Sequence, residues 1–206
     1  MNKHSAILLS GLAALLLLAG LSGCISKPAP TTVYVLEPLP AGTRAIQTGQ
    51  EAAMIMVMPV RLPPQLRQNS IVVEERGAAP QVVVGHLWAG PLDEQIGANL
   101  VANLQTLLAS PNVALYPGPR YSKARYQVET EIIRFSGDSK EFTLRAVTTI
   151  SDPLERRIIS REAFDQTVTI EGMGYGAYVA AASKTLGLLS GNIAASLASL
   201  MGGTSK

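Results

Sequence analysis

The sequence predicts an α+β protein with a mostly antiparallel sheet and two substantial helices. Within residues 126–170, three segments alternate apolar and polar side chains with a period of two, which is typical of strands that place one face on a core. Two other segments, at about 91–109 and 175–201, repeat apolar residues every three or four positions, which is the period of a helix. A chain of 206 residues is long enough for one such domain preceded by a targeting segment.

The first 23 residues have the composition of a bacterial lipoprotein signal peptide. Lys3 provides a short basic n-region, and an uncharged apolar run follows it. The run ends in Leu21-Ser22-Gly23-Cys24, which matches the lipobox pattern Leu-(Ala/Ser)-(Gly/Ala)-Cys at every position. Residues 1–23 are therefore predicted to be removed, which leaves Cys24 at the N-terminus of the mature chain.

Cys24 is the only cysteine in the sequence, and its position predicts lipidation. We expect its sulfur to carry a diacylglycerol and its freed amine to carry an N-acyl chain, because two or more chains anchor a protein stably where one does not. A core cysteine behind an ordinary signal is the alternative, which the matching neighbours disfavour. No other cofactor is expected, and the mature chain would have no free thiol with which to form a disulfide.

The residue after the cysteine and the segment that follows it predict where the protein is held. In lipoproteins of this kind, Asp at that position commonly causes retention in the inner membrane, so Ile25 predicts the outer membrane, on its periplasmic face. Residues 24–32 contain two prolines and are predicted to form a lipidated tether. Residues 33–206 contain no second tether and predict a single domain.

The first half of the domain predicts strands that are separated by loops. Segments 32–37, 70–75 and 81–85 are rich in β-branched residues, with the sequences TVYVLE, SIVVEE and QVVVG. We expect the last two to pair across a turn. Segment 52–60 is apolar on both faces and predicts a central buried strand.

The helix predicted at 91–109 begins at Pro91, which suits a first helical turn. Its apolar residues form one stripe, to which Leu92, Ile96, Leu100 and Leu104 belong. Trp88 precedes the helix and is the only tryptophan of the chain. A tryptophan in this place is most often a core residue, and the functional alternative is an anchor at a protein or lipid contact.

The helix predicted at 175–201 carries no charged residue from position 185 onward, so a membrane span is one interpretation. Its content of Ala, Ser and Gly favours the other interpretation, in which it packs on the sheet or on a neighbouring subunit. Together with Trp88, the apolar residues of this helix are candidate contacts for a partner subunit or a lipid: Leu186, Leu189, Ile193, Leu197 and Leu200.

Charge and composition argue against several classes of function. A mature chain keeps 16 of the 17 basic residues against 15 acidic ones and has no basic stripe, so nucleic acid is not an expected partner. His86 is the one histidine after the signal, and no G-x-S-x-G motif is present to hold a nucleophilic serine. Glu129 and Glu131 predict a solvated strand face, and the glycine-rich run at 172–176 lacks the lysine of a phosphate-binding loop. We therefore expect no enzymatic activity.

The segment LWAGPLDEQIGANLVANL at 87–104 resembles a known family. It is similar to the PqiC-like (YmbA-like) auxiliary lipoproteins of ABC-type, MCE-associated transport systems. Their pattern is Leu-Trp-Ala-x-Pro-Leu-(Asp/Glu)-x-x-(Leu/Ile), followed by leucines at four-residue steps. The lipobox, the Tyr34-Val35-Leu36 strand and the Leu62-Pro63 dipeptide occur in the same order as in that family.

This resemblance implies a non-catalytic component of an MCE/ABC-type lipid transport system that contributes to envelope integrity. It implies an outer-membrane lipoprotein whose partner is an MCE-domain periplasmic protein, with phospholipid as a cargo and a symmetric homo-oligomer as an assembly. One alternative is an assembly or chaperone lipoprotein for an outer-membrane β-barrel or for lipopolysaccharide export. Another is a periplasmic hydrolase that uses a serine, His86 and an acid.

Overall fold

The computed structural model describes residues 30–46, 53–75, 77–119 and 123–202. The signal peptide, Cys24 and nearly all of the tether lie outside these residues, so the boundaries at residues 23 and 32 stay predictions. From Thr31 onward the chain forms one compact unit. Its elements in chain order are β1 Thr32–Tyr34, β2 Ile55–Val57, a 3-10 turn Pro64–Leu66, β3 Ser70–Val73, β4 Gln81–Trp88, α1 Leu92–Leu107, β5 Val113–Leu115, β6 Tyr126–Gly137, β7 Glu141–Asp152, β8 Arg157–Thr169 and α2 Gly174–Gly202.

The larger sheet has five strands in the order β5-β2-β6-β7-β8. Strands β6, β7 and β8 form the antiparallel meander that the period-two pattern predicts. The short strand β2 is parallel to both β5 and β6, and all three of its residues are buried, as the prediction of a central strand requires. The α+β class is thus confirmed, although the sheet is mixed rather than purely antiparallel.

The smaller sheet has three strands in the order β1-β4-β3. Strand β3 is antiparallel to β4, as predicted, and β1 is parallel to β4. The register between β3 and β4 is irregular, and Gly85 lies in the irregular part of β4 with a φ of 79°, which glycine adopts without steric cost. Strand β4 continues past the predicted end at 85. It includes His86 and Trp88, which were not predicted to lie in a strand.

Both helices contact the five-stranded sheet and each other. The apolar stripe of α1 is buried, as its period predicts. In α2, the side chains of Leu186, Leu189, Ile193 and Leu197 are at most 1% exposed. The helix is long and apolar enough to cross a membrane, but half of its most apolar window is buried within the chain itself. The apolar stripe of α2, for which a membrane span was one interpretation, is therefore explained by packing on the sheet.

A network of buried amides ties the chain after β1 to both helices. We call residues 36–39 the exit segment, because through them the chain leaves β1. The backbone N–H of Leu39 donates to Asn103 Oδ1 at 2.7 Å. Asn103 Nδ2 in turn donates to Asn99 Oδ1 at 2.8 Å and to Ser190 Oγ, on α2, at 3.0 Å. Asn103 is fully buried, and its bonds to Asn99 and Ser190 are shielded from water.

The exit segment has further contacts with the helices, among them a bond of 3.4 Å from Asn99 Nδ2 to the Leu36 carbonyl. The backbone N–H of Leu36 donates to Gln95 Oε1 at 3.1 Å, and the N–H of Glu37 donates to Ser183 Oγ at 3.0 Å. Gly187 lets Leu39 approach α2, since a Cβ added to this glycine would lie 2.8 Å from Leu39 Cδ2. The first strand after the tether is therefore fixed to the core by both helices.

We predict that Asn103→Ala lowers the free energy of unfolding by about 2–4 kcal/mol, because it removes the hydrogen bonds that join the exit segment, Asn99 and Ser190 and leaves a small cavity in the core. The measurement is a urea titration of the full lipidated protein in detergent. It is followed by the fluorescence of Trp88, which is the only tryptophan and is buried. The matched control is Asn192→Ala, an exposed position on α2, which should change stability by about 0.5 kcal/mol or less. Equal effects of the two substitutions would contradict the importance of the network.

Candidate functional site

Four aromatic side chains gather where the small sheet meets the first turns of α2. The Tyr34 hydroxyl lies 2.8 Å from His86 Nδ1, and the two rings are stacked. The centroid of the His86 ring lies 4.1 Å from that of Tyr175, which is followed one turn later by Tyr178. This cluster joins β1, β4 and α2.

Tyr178 connects the two sheets. Its hydroxyl donates to the backbone carbonyl of Val72 in β3 at 2.7 Å and accepts a bond from the N–H of Gly137 in β6 at 3.0 Å. Burial raises the pKa of the Tyr178 phenol well above its usual range, more than the nearby Gly137 amide lowers it. Gly137 cannot be replaced at this junction, because a Cβ would lie 2.1 Å from the carbonyl oxygen of Glu141.

A cavity of about 330 Å³ lies beside these tyrosines. Val73, Ile170 and Tyr175 give it apolar walls, and Glu75 and Asp138 add carboxylates. The glycine-rich run that the sequence analysis weighed as a phosphate loop borders it through Gly172 and Gly174, which join β8 to α2. Sites for drug-sized ligands occupy about 300–1,000 Å³, so this cavity is too small for a whole two-chain phospholipid.

The candidate contact residues lie mainly inside the protein. Trp88 is 5% exposed and packs near Phe135, as the core interpretation predicts. The α2 residues Leu186, Leu189, Ile193 and Leu197 pack in the core, and Leu200 is half-buried at its margin. As contacts for a partner or a lipid these residues remain untested predictions, and in this structure their side chains are taken up by the core.

The residues weighed for catalysis are held in structural roles. Glu129 and Glu131 both pair with Arg61, at 3.3 Å and 3.4 Å, on the half-exposed outer face of the sheet. The ring of His86 is held between Tyr34 and Tyr175, with its Nδ1 beside the Tyr34 hydroxyl. Within the part of the chain that the structure describes, no three His, Cys, Asp or Glu residues are placed to hold a metal ion.

Two features of the structure, the buried asparagines of α1 and the Tyr178 bridge between the sheets, were not predicted from the sequence. Asn99 and Asn103 alternate with the leucines of the first helix in the sequence, and both are buried. Polar residues inside an apolar helical stripe are a usable signal for a buried network. Nothing in the local pattern around Tyr178 indicates that its hydroxyl bridges two sheets.

Comparison with solved structures shows a known fold. An uncharacterised protein superimposes with a TM-score of 0.66 at 20% identity, covering 82% of this chain and 99% of the other. Protein XCC0632 from Xanthomonas campestris superimposes with a TM-score of 0.65 at 17% identity, covering 79% of this chain and 92% of the other. At these identities the likeness shows a shared α+β fold and nothing about activity.

Sequence comparison goes further. The family of ABC-type transport auxiliary lipoprotein components matches residues 34–194, and the chain belongs to this family. The intermembrane transport lipoprotein PqiC of Escherichia coli strain K12 is 30% identical over 117 residues, and the PqiC of Shigella flexneri matches equally. The aligned region covers 57% of this chain and 60% of PqiC. The resemblance that the Leu-Trp-Ala segment indicates is confirmed.

We predict that Tyr178→Phe lowers the free energy of unfolding by about 1–3 kcal/mol near neutral pH, because the Val72 carbonyl and the Gly137 N–H lose a buried partner. Tyr116→Phe removes a hydroxyl from a half-exposed tyrosine and is the matched control. Urea titrations of both variants and of the unchanged protein give the comparison. A loss no larger than that of the control would show that the bridge contributes nothing.

The loss of stability caused by Tyr178→Phe should depend on pH. An unfolded tyrosine ionises near pH 10, while the raised pKa keeps Tyr178 neutral in the folded protein. The stability that this group contributes is therefore complete below about pH 10 and is lost as the pH rises towards the folded pKa. The difference in stability between the unchanged protein and Tyr178→Phe should narrow above about pH 10.

Proposed function

We propose that this chain is an outer-membrane-anchored, non-catalytic lipoprotein component of an MCE/ABC-type lipid transport system that contributes to envelope integrity. The observation that carries the proposal is membership of the transport auxiliary lipoprotein family over residues 34–194. The similarity to PqiC, an intermembrane transport lipoprotein, supports the same function. The anchor in this proposal is the N-acyl and S-diacylglycerol lipid on Cys24, and Ile25 supports sorting to the outer membrane.

The geometry favours a protein that holds the end of a lipid transport path over a carrier that encloses a lipid in its own cavity. A lipid moved through water needs its acyl chains covered, because each exposed methylene costs about 0.8 kcal/mol. The cavity beside Tyr178 is too small to cover a phospholipid. Cover for the lipid would come from an MCE-domain periplasmic protein, and this chain would hold the end of that path at the receiving membrane, as a homo-oligomer around it.

A hydrolytic function has little support in the described chain. A serine nucleophile needs a histidine within hydrogen-bond reach, oriented in turn by an acid. The contact made by His86 Nδ1 is with the Tyr34 hydroxyl, and its ring is covered by Tyr175. In the proposed function this histidine serves to join β1 and β4 to α2.

We predict that an MCE-domain protein copurifies with the tagged, lipidated protein in mild detergent, and that mass spectrometry of the extract finds phospholipid enriched with the complex. Recovery of an outer-membrane β-barrel without any MCE protein would contradict the proposal in favour of an assembly lipoprotein.

Cys24→Ala tests the anchor in the same cells. It should leave the protein folded but absent from the outer membrane, with an envelope defect as severe as deletion of the gene, because the acyl chains are lost. Ser26→Ala is the matched control, since it leaves Leu21-Ser22-Gly23-Cys24 unchanged. Full function from an unanchored Cys24→Ala protein would contradict the tethering role.

A further inference from the structure

Exposed apolar side chains occur on both outer parts of the small sheet and on the loop between β8 and α2. Val33 and Val35 follow one another on either side of Tyr34 and are 56% and 59% exposed. Val82 and Val84 on β4 are 51% and 85% exposed, and Met173 in the β8–α2 loop is 97% exposed. We call these five residues the anchor-side patch.

The sheet register places Val82 and Val84 at the tether end. Strand β1 pairs with the second half of β4, with Thr32 opposite His86 and Tyr34 opposite Trp88. Because β1 and β4 run parallel, the first half of β4, which holds Val82 and Val84, extends past the start of β1. Those two valines therefore lie on the side from which the chain enters the sheet.

The cavity beside Tyr178 places Met173 at the same end. Strand β3 pairs Val73 with Gln81, so the turn that includes Glu75 also lies on the tether side. Glu75 lines the cavity together with Gly172 and Gly174, the two neighbours of Met173. Val82, Val84 and Met173 thus lie on the side from which the chain enters β1, and Val33 and Val35 lie in and directly after this strand of only three residues.

Chain length limits how far this end can be from the acylated cysteine. Val33 follows Cys24 by nine positions, and nine Cα–Cα steps span at most about 32 Å even when fully extended. The exit segment then fixes β1 to the core, through bonds of 2.7 Å from Leu39 to Asn103 and 3.1 Å from Leu36 to Gln95. A short tether on a fixed strand keeps the patch close to the bilayer that holds the lipid.

We propose that the anchor-side patch contacts the lipid surface of the membrane that holds Cys24, as a second attachment that orients the domain. Single exposed apolar residues are ordinary, but a group of them on adjacent elements marks an interaction surface. Glu75 and Asp138 line the neighbouring cavity, so the contact relies on apolar side chains entering the interface and not on attraction to anionic head groups. This inference rests on the proposed lipidation of Cys24.

The test uses the full lipidated protein in vesicles of phosphatidylethanolamine and phosphatidylglycerol. Because Cys24 is the only cysteine and would be acylated, Val84→Cys offers a single free thiol for an environment-sensitive fluorophore. Leu154→Cys is the matched control, with 64% exposure for Leu154. Leu154 follows β7 at the end where Ser151 pairs with Gln127, opposite to the hairpin end that adjoins the cavity through Asp138.

We expect the fluorophore at position 84 to be blue-shifted and to lose most of its emission when nitroxide-labelled phospholipid is added to the vesicles. The fluorophore at position 154 should remain in water and lose little. High salt should leave the difference unchanged. A blue shift at position 84 without quenching by the labelled lipid would show that protein covers the patch. An aqueous spectrum at both positions would show that the patch stays in water. Either result would overturn the proposal.

Flotation of the vesicles separates this inference from the function on which it rests. Protein that does not float with the vesicles lacks the acyl anchor, and then both proposals fail. Protein that floats and copurifies with an MCE-domain protein, but shows no lipid quenching at position 84, leaves the transport function standing and removes only the second attachment.

Discussion

The hydrogen bonds between the exit segment and the buried asparagines of α1 are the constraint on which the rest of the structure depends. Asn103 holds the backbone of Leu39 on one side and Ser190 of α2 on the other, at 2.7 Å and 3.0 Å. In a dry environment each such bond is strong, and each partner left without one costs about 1–3 kcal/mol. The network therefore fixes the relative position of β1, α1 and α2 more specifically than apolar packing alone.

This constraint holds the start of the domain, which follows the predicted anchor in sequence, on the core. A lipidated cysteine on a flexible tail would hold a protein near a membrane without orienting it. Here β1 begins at Thr32, the last residue of the predicted tether, and the exit segment is then held by both helices. Tyr178 extends the connection, because its hydroxyl bonds to β3 at Val72 and to β6 at Gly137. The first described strand is thus connected by hydrogen bonds to both helices and, through Tyr178 of α2, to both sheets.

The elements predicted well from the sequence are those whose periodic pattern of apolar residues extends over many neighbouring positions. The periods of α1 and α2 extend over many residues, so their bounds agree closely with the structure. The period-two pattern indicated the three strands of the meander, although β8 begins at Arg157, well before the part of it that was predicted. The three-residue strand β5 was missed, because Val113–Leu115 is too short to show a period. The parallel pairing of β1 with β4 and of β2 with β5 and β6 was missed as well, since a partner distant in sequence leaves no local pattern.

The candidate site was less predictable for the same reason. Leu186 and its neighbours on α2 were offered as surface contacts because the sequence cannot tell which surface covers an apolar stripe, and here the sheet and α1 cover it. The family resemblance came from the Leu-Trp-Ala segment, in which Trp88 and Leu92 are core residues. The features that point to function, the buried asparagines and the Tyr178 bridge, depend on contacts across more than 40 residues of sequence.

Hydrogen exchange of backbone amides in the full lipidated protein tests the fixed position of the exit segment most directly. The amides of Leu36 and Leu39 should exchange as slowly as those of the core strands, because buried or half-buried side chains of α1 hold them. The amide of Thr43, bonded to Pro40 in an exposed turn, provides a fast reference a few residues away. Exchange at Leu36 and Leu39 as fast as at Thr43 would contradict a fixed connection between the anchor and the core.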